Sequence, residues 1–327
     1  MYKSPGIFIV SSGRSGTTLL VSILNATKQI FIPYESDFVA RAFSLYAQKK
    51  AFSKSDYLDL VDIFYRSSQP QGWGMNKDFL CDYLCKYRPQ NFSAVHSRIC
   101  QAYHEQHGTT NLIWGIKAPV LIASLDRIKR IHPSSKILHI VRDGRDVYLS
   151  YKKVHRKNSI KFGPKNLLEN ALYWVDGLRR IEDYGESDKV YELKYETILQ
   201  NPDVELKRLC SFLGVKYSSY IHEKFQSFEK NRALVPEKLS EALHEKVHSG
   251  IDATNSKKYK GQMSVFHRFV FEVLASPYLE KYDYEIEFPW LGSSLFYLPR
   301  FLLYKTARLI NDWRYARRDL KTALKSE

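Results

Sequence analysis

A loop rich in glycine and hydroxyl side chains near the start of the chain is suited to binding an anion. It follows the apolar stretch Ile7–Val10 and comprises Ser11-Ser12-Gly13-Arg14-Ser15-Gly16-Thr17-Thr18. Glycine lets backbone N–H groups close around an anion, and hydroxyl groups add further donors. Apolar residues at helical spacing continue from Thr17 to Ala26, and a helix N-terminus here would also attract negative charge. The loop therefore predicts a site for a phosphate-type anion.

This loop differs from the Walker A motif, GxxxxGK[ST], at the position that matters most for ATP. When the two are aligned on Gly16, Ser11 replaces the first glycine and Thr17 replaces the lysine that reaches the β- and γ-phosphates. A cation, Arg14, lies earlier in the loop instead. Phosphoryl transfer from ATP also needs a Mg²⁺-binding carboxylate near a strand end, whereas the best central strand is followed first by Arg142. These differences weaken a kinase interpretation.

A second cationic group follows the predicted central strand Lys136–Val141. Arg142 leaves this strand at its C-terminal end, and Ser150 comes eight residues later, about two helical turns. The planar guanidinium fork suits a phosphate group. If this strand is a neighbour of the first strand, the two anion sites lie near each other. A solvated helix N-terminus capped by Asp143 and Asp146 is the alternative interpretation.

Both segments resemble the nucleotide-binding motifs of sulfotransferases that use 3′-phosphoadenosine 5′-phosphosulfate (PAPS). Gly13–Leu20 is similar to the loop that binds the 5′-phosphosulfate, in the branch with arginine before SerGlyThrThr that includes tyrosylprotein and many bacterial enzymes. Ile137–Ser150 is similar to the segment in which an arginine and a serine, here Arg142 and Ser150, hold the 3′-phosphate. The resemblance implies PAPS as donor, 3′-phosphoadenosine 5′-phosphate (PAP) as product, and no metal.

Three charged residues suit the transfer step that this resemblance implies. Such a step needs in-line positioning, stabilisation of charge on the leaving phosphate and removal of the acceptor's proton. Arg14 could stabilise that charge, as could Lys117, which resembles the catalytic lysine of the family's Lys-Thr-Pro or Lys-Asp-Pro element. Glu35 resembles a glutamate after the first helix in the same branch, and as a general base it would need burial to raise its pKa. The alternative bases are Asp37 and His104.

Weaker resemblances extend into the later part of the chain. Tyr195 begins a segment similar to the family's Tyr-Glu-Asp-Leu element, whose tyrosine helps to hold the adenosine. Lys258 lies in a basic stretch similar to a late loop that closes over the nucleotide, although a solvated run of charge has the same pattern. The donor-binding residues implied by the resemblance are Gly13, Arg14, Ser15, Gly16, Thr17, Thr18, Arg142, Ser150, Tyr195 and Lys258.

Strand and helix signals alternate along the chain, which is typical of an α/β protein. We expect a P-loop-like three-layer fold with a central parallel sheet flanked by helices. We expect a sulfotransferase domain over residues 1–288, with a helical insertion at about 51–108 on the acceptor side, and a loop with a short helix at 231–261. The predicted strands are 7–10, 31–33, 111–116, 136–141 and 190–193, and the predicted helices include 17–26, 36–48 with Ser36 as N-cap, 119–131, 167–184, 202–213 and 263–279.

The composition is that of a globular chain with an excess of positive charge. The net charge of +15 favours an anionic partner, such as a charged nucleotide, a polyanionic substrate, anionic lipid or nucleic acid. Four cysteines at spacings that fit no metal motif indicate reduced thiols and a reducing compartment. Because no apolar run of about twenty residues and no leader pattern occur, we expect a cytoplasmic protein without a membrane span.

Residues 289–327 predict a basic amphipathic helix. One interpretation is a helix at the surface of an anionic membrane, and the other is a helix packed on the domain or on a second subunit. The residues of the helical stripe are Leu302, Thr306, Leu309, Trp313, Ala316 and Leu320.

Three alternatives to a working sulfotransferase stay open at the level of sequence. A nucleotide-dependent kinase would require a divalent metal. A non-catalytic basic protein would bind anions, and one that binds nucleic acid would show a steep dependence on salt; the two ordered phosphate motifs argue against it, and we expect no nucleic acid. A degenerate sulfotransferase fold would bind nucleotide without transfer, which the presence of Arg14, Glu35 and Lys117 disfavours.

Overall fold

The structure is a computed structural model that describes residues 6–67, 73–108, 113–157, 163–185, 188–218, 255–292, 294–296 and 298–310. The chain divides into two compact units, the first of Met1–Val141 with Arg180–Ala253 and the second of Arg142–Arg179 with Thr254–Glu327. The α-helices are α1 (Thr17–Ala26), α2 (Phe38–Tyr46), α3 (Lys54–Ser67), α4 (Lys77–Tyr87), α5 (Phe92–Gln106), α6 (Leu125–Ile131), α7 (Gly144–Lys157), α8 (Leu167–Tyr184), α9 (Tyr195–Gln200), α10 (Pro202–Leu213), α11 (Tyr259–Gln262), α12 (Val265–Lys281) and α13 (298–310).

A five-stranded parallel sheet forms the centre of the first unit. In the order β2-β3-β1-β4-β5, Ile9 of β1 lies opposite Lys117 of β3, and Val10 of β1 lies opposite His139 of β4. Because all the pairings are parallel, the carboxyl ends of the strands share one edge of the sheet. In this order the strand before the glycine-rich loop and the strand before Arg142 are neighbours. The strands are β1 (Ile7–Val10), β2 (Ile30–Phe31), β3 (Ile113–Lys117), β4 (Lys136–Val141) and β5 (Val190–Lys194).

Helices cover both faces of this sheet. Along β1, Phe8 and Val10 belong to one buried cluster, which also contains residues of α2 to α6. Ile7 and Ile9 belong to the other, which contains residues of α1, α9 and α10. Side chains of a strand alternate between the two faces, so a strand that is apolar at every position requires cover on both. The predicted three-layer α/β fold is confirmed.

Two predicted boundaries are wrong in detail. The N-cap residue of α2 is Asp37, and Ser36 instead accepts a hydrogen bond from Phe38 N in a local turn (3.4 Å). The segment predicted as one helix over 119–131 divides into a 3₁₀ helix, Pro119–Ser124, followed by α6. The first part is tighter because Leu121 N bonds to the carbonyl three residues earlier.

The segment predicted as a helical insertion forms α3, α4 and α5. Asparagine side chains cap α4 and α5: Asn76 accepts from Phe79 N at 3.0 Å, and Asn91 accepts from Ala94 N at 2.8 Å. The helices pack on the same cluster as β1. The segment is therefore part of the first unit's core.

The loop with a short helix that was predicted at 231–261 is described only in part. Residues 231–254 lie outside the described part of the chain, and residues 259–262 form the short helix.

A buried ion network organises the second unit. Arg145, near the start of α7, is fully buried and binds Asp143 in a bidentate manner (3.0 and 2.7 Å). Its third contact is Glu272 of α12 at 2.7 Å, and its guanidinium lies 3.8 Å from the centroid of the Tyr259 ring.

Among the described residues no helix is long and apolar enough to cross a membrane.

Candidate active site

The loop between β1 and α1 has a backbone that few side chains tolerate. Gly13, Arg14 and Gly16 have φ values of 74°, 53° and 98°, in the left-handed region that glycine adopts without strain. The loop is braced internally, since Gly13 N donates to Ser11 Oγ (3.0 Å) and Ser15 Oγ donates to the Gly13 carbonyl (3.1 Å). No side chain caps the N-terminus of α1. The loop and the helix end therefore have the form expected of an anion site.

Tyr195 lies directly against this loop. A Cβ atom placed on Gly16 would lie 2.4 Å from Cδ2 of Tyr195 and 3.5 Å from Cδ1 of Ile140. Tyr195 is the first residue of α9 and follows β5 at the carboxyl edge of the sheet. The structure thus brings the predicted adenosine-binding tyrosine to the predicted phosphate loop, and it explains why residue 16 needs to be glycine.

Lys117 and Glu35 form an ion pair at the same edge of the sheet. Lys117 ends β3, which is flanked by β1 and β2, so its side chain is only 2% exposed. Glu35 comes after β2, the outermost strand, and its side chain is 37% exposed. The burial that would raise the pKa of a general base at this position is therefore only partial, because a residue beyond an edge strand keeps access to solvent. The pairing itself joins two of the predicted catalytic residues.

Tyr34 completes this group, although the sequence analysis did not single it out. Its ring centroid lies 5.5 Å from Lys117 Nζ, and its carbonyl accepts a hydrogen bond from Trp73 Nε1 (2.9 Å). Burial raises the pKa of the Tyr34 hydroxyl, the charge of Glu35 raises this pKa further, and the charge of Arg14 lowers it. Lys117 thus lies near a neutral phenol, whose pKa the charges of Glu35 and Arg14 also affect. The signal available in the sequence was the position of Tyr34 beside Glu35.

The two alternative bases lie in other surroundings. Asp37 takes the N-cap position of α2, and its carboxylate pairs with Arg41 at 2.8 Å. His104 is buried on α5, where its ring lies 6.0 Å from that of Phe31 and 5.8 Å from that of Tyr103. These positions favour Glu35 as the carboxylate that accompanies Lys117.

The second unit contains the other predicted cations. Arg142 is buried; its carbonyl accepts from Trp174 Nε1 (2.9 Å), and its Nη2 donates to the Asn255 carbonyl (2.7 Å). Lys258 Nζ donates to the side-chain oxygen of the same Asn255, also at 2.7 Å. The structure therefore joins Arg142 and Lys258 through one asparagine that no sequence signal identified.

The start of α7 is buried, and its two aspartates accept backbone hydrogen bonds. The alternative interpretation of this segment as a solvated helix N-terminus is therefore wrong. Asp143 accepts from Arg145 N (2.9 Å), and Asp146 accepts from Tyr259 N (2.9 Å). Burial raises the pKa of the Asp146 carboxyl. Ser150 follows Asp146 by one helical turn, so the two share a face of α7. The network fixes the segment that carries Arg142 and Ser150.

The chain's thiols are not paired. All four cysteines, Cys81, Cys85, Cys100 and Cys210, are free, and burial raises the pKa of Cys100 and Cys210. In the parts of the chain that the structure describes, His, Cys, Asp and Glu form no group of three or more that could hold a metal ion.

Comparison with known proteins identifies the family that the chain resembles. A sequence model described as "Sulfotransferase family" matches residues 5–219 of the 327. The omega-hydroxy-beta-dihydromenaquinone-9 sulfotransferase of Mycobacterium bovis is 23% identical over 291 residues, which cover 73% of this chain and 74% of that relative. Protein-tyrosine sulfotransferase A of Caenorhabditis elegans is 24% identical over 238 residues, or 71% of this chain and 55% of the relative.

Solved structures show the same fold at low sequence identity. The sulfotransferase domain from the curacin biosynthetic pathway matches with a TM-score of 0.57 and 19% identity, covering 87% of this chain and 100% of that domain. The sulfotransferase domain of the Synechococcus PCC 7002 olefin synthase matches with a TM-score of 0.53 and 17% identity, covering 87% of this chain and 97% of that domain. At these identities the likeness concerns the fold alone.

Proposed function

Because the chain belongs to the sulfotransferase family, we propose that Arg14, Glu35 and Lys117 carry out its transfer step. The enzyme moves the sulfuryl group of PAPS to an acceptor and releases PAP. In this reaction the bond between sulfur and the bridging phosphate oxygen breaks, a bond between sulfur and the acceptor forms, and the acceptor loses a proton. The observation that carries the assignment is the Lys117–Glu35 ion pair beside the phosphate loop.

The glycine-rich loop is proposed to hold the 5′ end of the donor. Its left-handed backbone, its internal hydrogen bonds and the uncapped end of α1 support this role. Tyr195 would contact the adenosine, and Arg142 with Ser150 would bind the 3′-phosphate, for which a guanidinium fork is well shaped. Lys258 shares Asn255 with Arg142, which supports its place among the donor-binding residues. The loop residues in this proposal are Gly13, Arg14, Ser15, Gly16, Thr17 and Thr18.

Lys117 is proposed to stabilise the charge that develops on the leaving phosphate oxygen. A buried ammonium acts more strongly on such a charge than an exposed one, because little water screens it. Arg14 belongs to the loop itself, and its charge acts on the same surroundings through Tyr34. Two cations are thus available for one developing negative charge.

Glu35 is proposed to take the acceptor's proton. Its partial exposure lets an acceptor approach the carboxylate. The ion pair with Lys117 holds this carboxylate at the edge of the sheet. One ion pair therefore positions both residues for the transfer step.

A hydroxyl group is the proposed acceptor. The names of the two relatives specify an omega-hydroxy compound and a protein tyrosine, and both offer a hydroxyl oxygen. The three helices α3 to α5 are proposed to form the acceptor side of the enzyme. We also propose that residues 1–288 form the sulfotransferase domain and that the protein is cytoplasmic. The C-terminal helix is proposed to make a peripheral contact with an anionic membrane. The four free thiols support a reducing compartment.

Transfer of labelled sulfate from PAPS to a panel of alcohols and phenols tests the roles of Lys117 and Glu35. Glu35→Gln removes the base with little change of shape and should lower kcat by about 10²–10⁴-fold, while calorimetry should find PAP binding within about 3-fold of the parent. Lys117→Met should lower kcat to a similar degree. The matched control is Lys207→Met on α10, where the lysine is exposed, and it should leave kcat unchanged. Parental turnover in Glu35→Gln would rule out the proposed base.

A further inference from the structure

The C-terminal helix α13 docks onto the second unit through its polar side. Arg300 donates to Ser276 Oγ (3.2 Å) and to the Leu291 carbonyl (3.0 Å). Tyr304 and Arg308, one and two turns further on, both donate to the carboxylate of Asp176. Residues four apart lie on the same side of a helix, so a polar stripe faces the protein. This is the reverse of a surface helix in an ordinary globular domain, which turns its apolar side inward.

The opposite side of α13 is apolar and exposed. Leu298, Phe301, Leu302 and Leu309 recur at three-, four- and seven-residue spacing, and we call them the outward face. Leu298 is 62% exposed, Leu302 55% and Leu309 70%. Phe301 is also exposed. Lys305 lies on the same side, with its ammonium 5.4 Å from the Phe301 ring. The outward face thus combines large apolar side chains with a cation.

Further apolar side chains are exposed just before α13. Leu295 is among the most exposed large side chains of the described residues. Phe296 packs edge-on against Trp290, with ring centroids 4.7 Å apart, and both rings remain partly exposed. A run of exposed apolar side chains in water is unfavourable and usually marks a surface that something covers.

The charge of the C-terminal segment indicates which partner covers the outward face. Residues 289–327 contain eight lysines and arginines and three acidic residues, a net charge of +5 (8 − 3). A second copy of the chain would bring the same positive charge to the same place and would be repelled, whereas an anionic lipid surface would attract it. A helix that is apolar on its exposed side and bound to the protein on its polar side would lie in the plane of the membrane surface.

We propose that the outward face of α13 inserts into the surface of an anionic lipid bilayer, while its polar side stays bound to the protein. The proposal goes beyond electrostatic contact, because it requires the outward leucines to leave water. Tryptophan side chains such as Trp290 favour the boundary between lipid and water. The inference rests on contacts within the second unit and not on the transfer reaction.

Co-sedimentation of the full chain with lipid vesicles tests this inference. The probes are vesicles of phosphatidylcholine with about a quarter phosphatidylglycerol, and vesicles of phosphatidylcholine alone. The parent should bind the anionic vesicles and bind the neutral ones weakly. Leu302→Ser and Leu309→Ser should each weaken binding by about 10-fold, and the double variant by about 100-fold, since each removes a side chain that inserts. Both positions are exposed, so thermal unfolding should be unchanged.

Leu45→Ser on α2 is the matched control, because Leu45 is 69% exposed and lies outside α13. It should bind vesicles as the parent does. Parental binding by the double variant would overturn the proposal, since charge alone would then suffice. Absence of binding by the parent would overturn it as well. So would a dimer in light scattering that Leu302→Ser dissociates, because a second copy would then cover the face. The assay contains neither donor nor acceptor, so its outcome is separate from that of the transfer experiment.

Discussion

Replacing Gly16 by alanine is expected to damage the phosphate loop in two separable ways. The first is backbone strain, because φ at Gly16 is 98°, and a side chain in the left-handed region costs about 1–2 kcal/mol. The second is steric, because the new Cβ would lie 2.4 Å from Cδ2 of Tyr195. Inserting a methyl group into a packed site costs about 1–3 kcal/mol. Gly16→Ala should therefore lower the free energy of unfolding by about 2–5 kcal/mol.

Gly214 provides a matched control for the strain. It ends α10 with φ 73°, and a Cβ there would meet nothing within 4 Å. Gly214→Ala should therefore show only the strain, about 1–2 kcal/mol. Chemical denaturation of both variants measures the steric part as the difference between them, about 1–3 kcal/mol. Calorimetry should find PAP binding weakened by at least about 10-fold in Gly16→Ala alone, which corresponds to loss of one charge-assisted hydrogen bond.

A double-mutant cycle decides whether Tyr195 is the obstructing group. Tyr195→Ala removes the ring, so adding Gly16→Ala to it should cost only the backbone strain. The coupling between the two sites should thus be about 1–3 kcal/mol. Equal stability of Gly16→Ala and Gly214→Ala, or zero coupling with Tyr195, would show that the ring does not pack against the loop as described.

Two further predictions concern the folding of each unit. Arg145→Met leaves two buried carboxylates without their cation and should destabilise the protein by about 3–5 kcal/mol in urea denaturation; the control Lys77→Met, which breaks an ion pair with Asp62 that is exposed on both sides, should change stability by less than about 0.5 kcal/mol. Burial lowers the pKa of His132 from 6.5 to about 4, and its neighbour His96, 2.8 Å away, is lowered too. Between pH 6.5 and 4 the unfolded chain therefore binds more protons, and stability should fall on acidification, by about 3 kcal/mol for His132 alone. In His132→Gln the loss over this range should be smaller by that amount, and an unchanged pH profile would contradict the burial of a neutral ring.

Local patterns in the sequence predict the central strands and the loop well. Ile7–Val10 is apolar at every position, and the glycines that follow favour a turn, so β1, the loop and α1 are found where expected. The edge strand was predicted at 31–33 but is Ile30–Phe31. Its limits depend on pairing with Ile113 and Trp114 of β3, more than eighty residues away, and no local pattern encodes that pairing.

In the candidate site, too, contacts between residues that are distant in the sequence could not be predicted from local patterns. The resemblance identified Glu35 and Lys117 as separate residues, but their ion pair spans 82 positions and is a product of the sheet order. No sequence pattern indicated a role for Asn255, because its contact with Arg142 joins residues 113 positions apart.

The amphipathic stripe of the C-terminal segment was recognised, but not the side that faces the protein. That choice depends on Asp176 of α8, which binds two residues of α13. The stripe residues Trp313, Ala316 and Leu320 lie outside the described part of the chain.

Calorimetric titration of PAP, beside AMP and beside ATP with Mg²⁺, tests the central claim most directly. A sulfotransferase that holds its donor by both phosphates should bind PAP without added metal, and should bind AMP about 10–100-fold more weakly because one charge-assisted contact with the 3′-phosphate is absent. Arg142→Ala should reduce PAP binding by a similar factor and leave AMP binding nearly unchanged. A preference for ATP with Mg²⁺, or equal binding of PAP and AMP by the parent, would contradict the account.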